Sequence, residues 1–204
     1  MGAFYVNYTV KLADQKSVVN ALGGRKAFVS PERNGTVVVF DQESDNQDQN
    51  AIAKLAAHLS TGLHCIVFAA LVHDSDILWY QLYQEGRLSD QYNSTPDYWS
   101  AKSEPSEPEG GDAAQLCAAF NCSDVAEVEI ILRATSETYS DAMDRHADLV
   151  RALNLPDFAV GYGFKSVMRG DLPKGLTAEN MIASPLPKPL SRVRKLFSFN
   201  PLSR

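Results

Sequence analysis

The sequence predicts an α+β fold built on an antiparallel or mixed sheet, with a helical region packed against it. The first hundred residues contain strand-like and helix-like patterns in the order strand, helix, strand, strand, helix, strand. Two further β-prone runs flank Glu85-Gly86 and predict a hairpin that extends the sheet. Beyond residue 112 the apolar residues recur at helical spacing, which predicts the packed helices.

The first strand and the first helix are indicated by local pattern. Residues 4–12 alternate between an apolar face and a mostly polar face, which is typical of a half-buried strand. Asp14 then supplies a side-chain oxygen for the amino terminus of a helix, and Gly23-Gly24 supplies the left-handed residue that ends it. The chain is therefore expected to begin with a strand and a capped helix.

A hairpin, a helix and a buried strand are predicted next. The β-prone runs 27–29 and 36–40 are separated by a segment that ends in Asn34-Gly35, a strong signal for a turn between antiparallel strands. Apolar residues between 52 and 59 recur at i, i+3, i+4 and i+7, which predicts an amphipathic helix. The run 64–72 is short, apolar and followed by turn-forming residues, so we expect a buried strand there.

The hairpin at Glu85-Gly86 joins predicted strands at residues 77–84 and 87–94. A two-residue loop predicts which side chains lie opposite one another on a shared face. The predicted pairs are Tyr83 with Leu88, Gln81 with Asp90, and Trp79 with Tyr92. In this register aromatic rings surround a polar pair.

The order of elements resembles the split βαβ arrangement of ferredoxin-like folds, here extended by the hairpin. We assign residues 1–99 to this sheet region. Residues 100–112 are polar, acidic and broken by prolines and glycines, which predicts a linker or loop. Residues 113–170 form the helical region, in which Phe158–Met168 also fits a returning strand, and residues 171–204 form a basic, proline-containing tail. Helices are predicted at 112–121, 123–134 and 136–153.

Charge is distributed unevenly along the chain. The whole protein carries −6, and because residues 180–204 contain five basic and no acidic side chains, the first 179 residues carry −11. Affinity for nucleic acid comes largely from neutralisation of phosphates by lysine and arginine, so the acidic body excludes general nucleic-acid binding. An acidic body favours encounter with a basic partner.

The cysteines and the apolar runs indicate a cytoplasmic setting. Cys65, Cys117 and Cys122 form an odd number without a CxxC spacing, and we expect them to be unpaired, buried small side chains. The amino terminus lacks a secretory pattern, and the longest apolar run has eight residues, far short of the roughly 20 that a spanning helix needs.

Candidates for catalytic or metal chemistry are weak. Four residues of metal-ligating type lie close together in sequence, but their spacing predicts no tetrahedral site: His58, His64, Cys65 and His73. An alternative is a small hydrolase-type enzyme with a site between sheet and helices, where Asp90, His146 and a cysteine would converge. No phosphate-binding or nucleophile motif supports a reaction, and we expect no cofactor and no metal.

Aromatic residues concentrate in one segment. Residues 77–99 contain six of them, including both tryptophans of the chain, and such clusters often anchor interfaces between proteins. The predicted binding surface comprises Trp79, Gln81, Tyr83, Asp90, Tyr92, Tyr98 and Trp99. The main hypothesis is a non-enzymatic module of inhibitor, immunity or regulatory type that binds a protein partner. The alternatives are that this face closes a homo-oligomer or that it covers the core.

The tail carries a second candidate contact. Its basic residues Lys188, Arg192, Arg194 and Lys195 accompany proline-spaced and apolar residues. Each basic side chain contributes about 1 kcal/mol to binding an anionic membrane, so the four together make membrane association marginal. A solubilising terminus, or one that folds against the acidic body, is the simpler interpretation.

Overall fold

Residues 2–98 and 107–185 are described by the computed structural model. Within these ranges the chain forms one antiparallel sheet of eight strands. The strands are β1 (Tyr5–Lys11), β2 (Ala27–Val29), β3 (Thr36–Asp41), β4 (Ile66–His73), β5 (Ile77–Gln84), β6 (Arg87–Asn93), β7 (Glu109–Gly110) and β8 (Ile182–Ser184). Their order across the sheet is β7-β6-β5-β4-β1-β3-β2-β8.

Six α-helices accompany the sheet in the described ranges. They are α1 (Gln15–Ala21), α2 (Gln49–Leu63), α3 (Ala113–Phe120), α4 (Val125–Arg133), α5 (Ala142–Ala152) and α6 (Phe164–Met168). An aspartate stands at the amino terminus of each of the first five and accepts a hydrogen bond from a backbone N–H of the first turn: Asp14, Asp48, Asp112, Asp124 and Asp141. These caps satisfy donors that have no partner inside the helix.

The sheet separates two hydrophobic cores. Because side chains of a strand alternate between faces, Val37 and Val39 of β3 pack in the core beneath α1 and α2, whereas Val38 and Phe40 pack beneath the later helices. Both faces of the central strands are therefore buried. The prediction of an α+β fold with a helical region packed on the sheet is confirmed.

The predicted returning strand at residues 158–168 is wrong. These residues form a 3-10 turn at Asp157–Ala159 and helix α6, and the strand that returns to the sheet is β8, within the segment assigned to the tail. The carboxylate of Asp45 accepts hydrogen bonds from the N–H groups of Phe164 and Lys165, which starts a helix at that point. This cap comes from a distant part of the chain, so the local pattern does not reveal it.

The hairpin has the predicted loop but a different register. Glu85 and Gly86 both have positive φ, as a tight two-residue turn requires, and Tyr83 pairs with Leu88 as predicted. A β-bulge then inserts Ser89, whose hydroxyl donates to the carbonyl of Leu82. The pairs predicted for Gln81 with Asp90 and for Trp79 with Tyr92 are therefore wrong, because the strand beyond the bulge is shifted by one residue.

Two of the cysteines are paired, contrary to expectation. Cys117 and Cys122 form a disulfide across a Cα–Cα distance of 4.5 Å. Asn121 adopts a left-handed conformation at the end of α3, and the Cys122 N–H donates to the Cys117 carbonyl, which turns the two side chains toward each other. Cys65 is unpaired and buried, and burial raises the pKa of its thiol to about 11.

None of the helices in the described ranges is long and apolar enough to cross a membrane. The longest, α2, has 15 residues. Its buried side chains lie along one stripe that faces the sheet, which is typical of an amphipathic helix.

Candidate recognition groove

Two cross-strand rows of side chains lie side by side on β4, β5 and β6. In the first row Trp79 stands between Leu71 and Asn93. In the second row Gln81 of β5 stands directly opposite Gln91 of β6. Both rows lie on the same face of the sheet as α1 and α2. Leu71 and Trp79 belong to the hydrophobic core beneath those two helices. We call this concave surface, with the start of α2 at its far side, the amide groove.

Two cavities lie along the amide groove; Gln81 lines neither, but it stands opposite Gln91, which lines the smaller one. The larger has a volume of about 440 Å³ and is lined by Asn46, Gln47, Gln49, Leu71, His73, Ile77, Asn93, Thr95 and Pro96. The smaller has a volume of about 190 Å³ and is lined by Trp79, Gln91, Tyr92, Asn93, Glu109 and Gly110. Asn93 lines both cavities, so they adjoin at that residue.

Several hydrogen-bonding groups of the groove are unused. Gln81 accepts from the Tyr83 hydroxyl at 3.0 Å, and Asn93 accepts from the Thr95 N–H at 3.0 Å. Neither amide NH₂ donates to another residue that the structure describes, so both are available to a ligand. The exposed Gln91 side chain bonds none of the residues that the structure describes. The groove therefore presents two amide NH₂ groups and one complete amide on adjacent strands.

The side of the groove next to α2 is fixed by internal hydrogen bonds. The Gln47 amide donates from Nε2 to the Val72 carbonyl at 2.8 Å. Its Oε1 is therefore the acceptor of the 2.6 Å bond to His73, whose Nδ1–H is the donor. The two side chains hold each other in place.

The opposite wall is formed by the segment after β6. The Ser94 hydroxyl accepts from the Leu78 N–H at 2.9 Å, and the Tyr98 hydroxyl donates to Asp76 at 3.0 Å. The Tyr98 ring also meets the edge of His73 with a centroid distance of 5.9 Å. Because both walls are anchored, the groove is preformed, which lowers the entropic cost of binding.

The structure divides the predicted binding residues between the two faces of the sheet. Trp79, Gln81 and Tyr83 lie on the groove side, although Trp79 and Tyr83 are each only 7% exposed. Asp90 and Tyr92 lie on the opposite face, beneath the helical region, because the bulge reverses their direction. The single surface predicted for all of them is therefore wrong. Trp99 and the tail residues Lys188, Arg192, Arg194 and Lys195 lie outside the described residues.

Asp90 and Tyr92 are engaged inside the protein. The Asp90 carboxylate accepts from the Tyr80 hydroxyl at 2.7 Å and from the Asp112 N–H at 3.0 Å, and burial raises its pKa. Tyr92 is 2% exposed and donates to the Leu132 carbonyl at 3.0 Å. Both side chains connect the sheet to the helices, and we assign them no recognition role.

The residues of the hydrolase alternative do not converge. His146 is fully buried against Tyr5, whose hydroxyl lies 2.8 Å from Nδ1, and burial lowers the pKa of the imidazole to about 4. Asp90 bonds Tyr80 and Asp112, Cys117 is in the disulfide, and Cys65 belongs to the core on the other face. Within the described residues, no cysteine thiol therefore lies next to His146 or Asp90.

Metal-ligating side chains are likewise dispersed in the part of the chain that the structure describes, where no group of three or more could hold an ion. The His58 ring bonds the Ala21 carbonyl at 3.0 Å, and His73 bonds Gln47. These histidines have structural contacts instead of a common centre.

Sequence reasoning missed the amides of the groove. The predicted register puts Asp90 and Tyr92 on the face of Gln81, which leaves Gln91 and Asn93 on the other face, and the bulge that reverses this is not visible in the sequence. Gln47 and Gln49 lie in or beside the acidic stretch 41–48, whose composition is typical of a loop between a strand and a helix. A polar side chain at every second position of β6 is the signal that could have identified the first two.

The chain was compared with known protein families, curated proteins and solved structures. No family model, no curated protein and no solved structure matches the chain.

Proposed function

We propose that the chain is a non-enzymatic recognition module that binds an extended peptide segment of a partner protein in the amide groove. The observation that carries this proposal is the set of unused amide groups on β5 and β6 beside Trp79. A peptide backbone presents N–H and C=O groups in alternation, and a primary amide has both a donor and an acceptor with which to pair them. An extended segment lying along the two rows would satisfy these groups.

The chemistry of the groove favours an uncharged segment. Its lining side chains are almost all neutral, with Glu109 as the formal exception at one end and His73 held by Gln47. The Trp79 ring forms the base of the groove. Leu88, which is 45% exposed, pairs with Tyr83 on the side of the bulge nearer the turn. Buried aromatic contacts provide much of the binding energy at protein interfaces, while neutral amides provide orientation.

The net charge of the protein affects the rate at which a partner associates. The first 179 residues carry −11, so a basic partner would be attracted over a long range and its rate of association would fall with added salt. This supports an inhibitor-like or regulatory role toward a basic protein.

The strand order β4-β1-β3-β2, with α1 and α2 on one face, supports a split βαβ core. Strands β5–β7 extend this core and contribute to the groove.

A peptide-display selection tests the proposal. We expect random short peptides panned over the immobilised protein to yield neutral, β-prone sequences, and fluorescence anisotropy to give their affinities. Gln81→Ala and Gln91→Ala should each weaken binding about tenfold, because each removes hydrogen bonds from a largely desolvated contact. Gln84→Ala is the matched control, since Gln84 lies on the same strand as Gln81 but points to the other face.

Two results would contradict the proposal. One is a set of selected peptides whose affinity is the same for the Gln91→Ala and Gln84→Ala proteins. The other is a concentration-dependent dimer in sedimentation experiments that competes with the peptides, because the occupant of the groove would then be a second copy of the chain. Circular dichroism of each variant confirms that the fold is retained.

A further inference from the structure

A second concavity lies where β3 ends and β2 begins, next to α6. It has a volume of about 390 Å³. Three cationic side chains reach it from two parts of the chain, namely Arg25 and Lys26 before β2 and Lys165 on α6. Phe164 and Met168 form an apolar wall. In a body that is strongly acidic, this concentration of basic side chains is unusual.

Arg25 is held in place by a buried network. Its Nε and Nη2 donate to the two carboxylate oxygens of Asp41 at 3.0 and 2.7 Å, and Asp41 is 1% exposed. The same carboxylate accepts from the N–H and the hydroxyl of Ser44, which in turn accepts from the Tyr8 hydroxyl. The planar fork of the guanidinium is therefore already occupied, and Glu43 bonds its remaining edge.

The two lysines are available to a ligand. Lys26 and Lys165 are exposed, and neither ammonium forms an ion pair with any residue in the ranges that the structure covers. The nearby Asp45 carboxylate is bound by the backbone N–H groups of Phe164 and Lys165. The side chains that line the concavity, three basic and two acidic, have a net charge of +1, and the Asp45 carboxylate beside them interacts electrostatically with Lys165.

We propose that this concavity binds a small organic phosphate with an apolar body. An ammonium is a compact charge with three donors, which suits a tetrahedral oxyanion, whereas the flat bidentate contact that a carboxylate prefers is already made inside the protein by Arg25 and Asp41. Lys26 and Lys165 would bind the phosphate oxygens. Glu43, whose side chain is 61% exposed, would turn away from the incoming anion.

The apolar wall sets the second requirement for the ligand. Met168 is 58% exposed, and Phe164 beside it is fixed by stacking on Phe28 with a centroid distance of 5.3 Å. Covering the exposed methionine with an aromatic or aliphatic group removes apolar surface from water and gives sulfur contacts with a ring. The body of the ligand is therefore expected to lie on Met168.

Isothermal titration with defined probes tests the site. The probes are phenyl phosphate, inorganic phosphate, benzoate and benzyl alcohol. We expect phenyl phosphate to bind most tightly, inorganic phosphate and benzoate to bind about tenfold more weakly, and benzyl alcohol to show no binding. Affinity for phenyl phosphate should fall as the salt concentration rises.

Variants assign the binding to the named residues. Lys26→Gln and Lys165→Gln should each weaken phenyl phosphate binding about tenfold. Lys16→Gln, which removes an exposed lysine on α1 away from the concavity, should leave it unchanged. Met168→Ser should weaken phenyl phosphate binding but not inorganic phosphate binding. Because the three lysines and Met168 are exposed, all four variants are expected to keep the wild-type melting temperature.

Three results would overturn the proposal: equal affinity of the Lys16→Gln and Lys26→Gln proteins for phenyl phosphate, tighter binding of benzoate than of phenyl phosphate, or no binding of phenyl phosphate. Asn46 lines both this concavity and the amide groove, but Lys26 and Lys165 line the concavity alone. Peptide binding by the Lys26→Gln protein should be unchanged, so failure of one proposal is distinguishable from failure of the other.

Discussion

Replacing Arg145 by methionine is expected to lower the free energy of unfolding by about 3 to 5 kcal/mol. Arg145 is 3% exposed, and its guanidinium donates to the Tyr92 hydroxyl and, at 2.7 Å, to the Ala134 carbonyl. Ala134 directly follows α4, whose last carbonyls have no partner inside the helix. The cation is favourably placed at this negative end of the helix, and its removal takes a donor from the buried Tyr92 hydroxyl and from the part-buried Ala134 carbonyl.

Urea unfolding monitored by circular dichroism measures this effect. Arg151→Met is the matched control, because Arg151 is on the same helix with its side chain 69% exposed and bonds Asp148 only at the surface. That control should change stability by less than about 0.5 kcal/mol. A similar small loss for Arg145→Met would show that the carbonyls after α4 find other partners, and the role assigned to Arg145 would be wrong.

The sequence is sufficient to predict features that depend on neighbouring residues. The cap at Asp14, the two-residue turn at Glu85-Gly86 and the stripe of α2 each depend on residues a few positions apart, and the structure contains all three. The division of the chain into strands followed by helices is visible for the same reason.

Features that depend on distant contacts could not be predicted. The helix at Phe164 begins there because Asp45 accepts its backbone donors across more than a hundred residues of chain. The bulge at Ser89 is one inserted residue, yet it moves Asp90 and Tyr92 from one face of the sheet to the other. The aromatic part of the candidate site was therefore predictable through Trp79, whereas its amides were not.

Stability is expected to fall as the pH is lowered from about 6.5 to about 4, because His146 is buried in its neutral form. The Tyr5 hydroxyl lies 2.8 Å from Nδ1 of His146, inside the protein. Nε2 of the same ring has no hydrogen-bond partner among the described residues. Burial lowers the pKa of His146 from its ordinary 6.5 to about 4.

The direction of this change in stability follows from proton uptake by the unfolded chain. Between these two pH values the unfolded chain binds a proton at His146 and the folded protein does not, so acid favours unfolding. Across the whole interval the loss amounts to about 3 kcal/mol. The raised pKa values of Asp45 and Asp90 act in the opposite direction, because these carboxylates take up protons more readily in the folded protein.

A comparison of variants isolates the contribution of His146 from that of the carboxylates. Urea unfolding at several pH values should show a smaller loss of stability on acidification for His146→Gln than for the wild type, by about 3 kcal/mol across the interval. His58→Gln should retain the wild-type dependence, because His58 is exposed and its ring bonds the Ala21 carbonyl at the surface. If His146→Gln and the wild type lose stability equally, the imidazole must become protonated inside the folded protein. The unpaired Nε2 would then have a partner, such as a water molecule, that stabilises the charge.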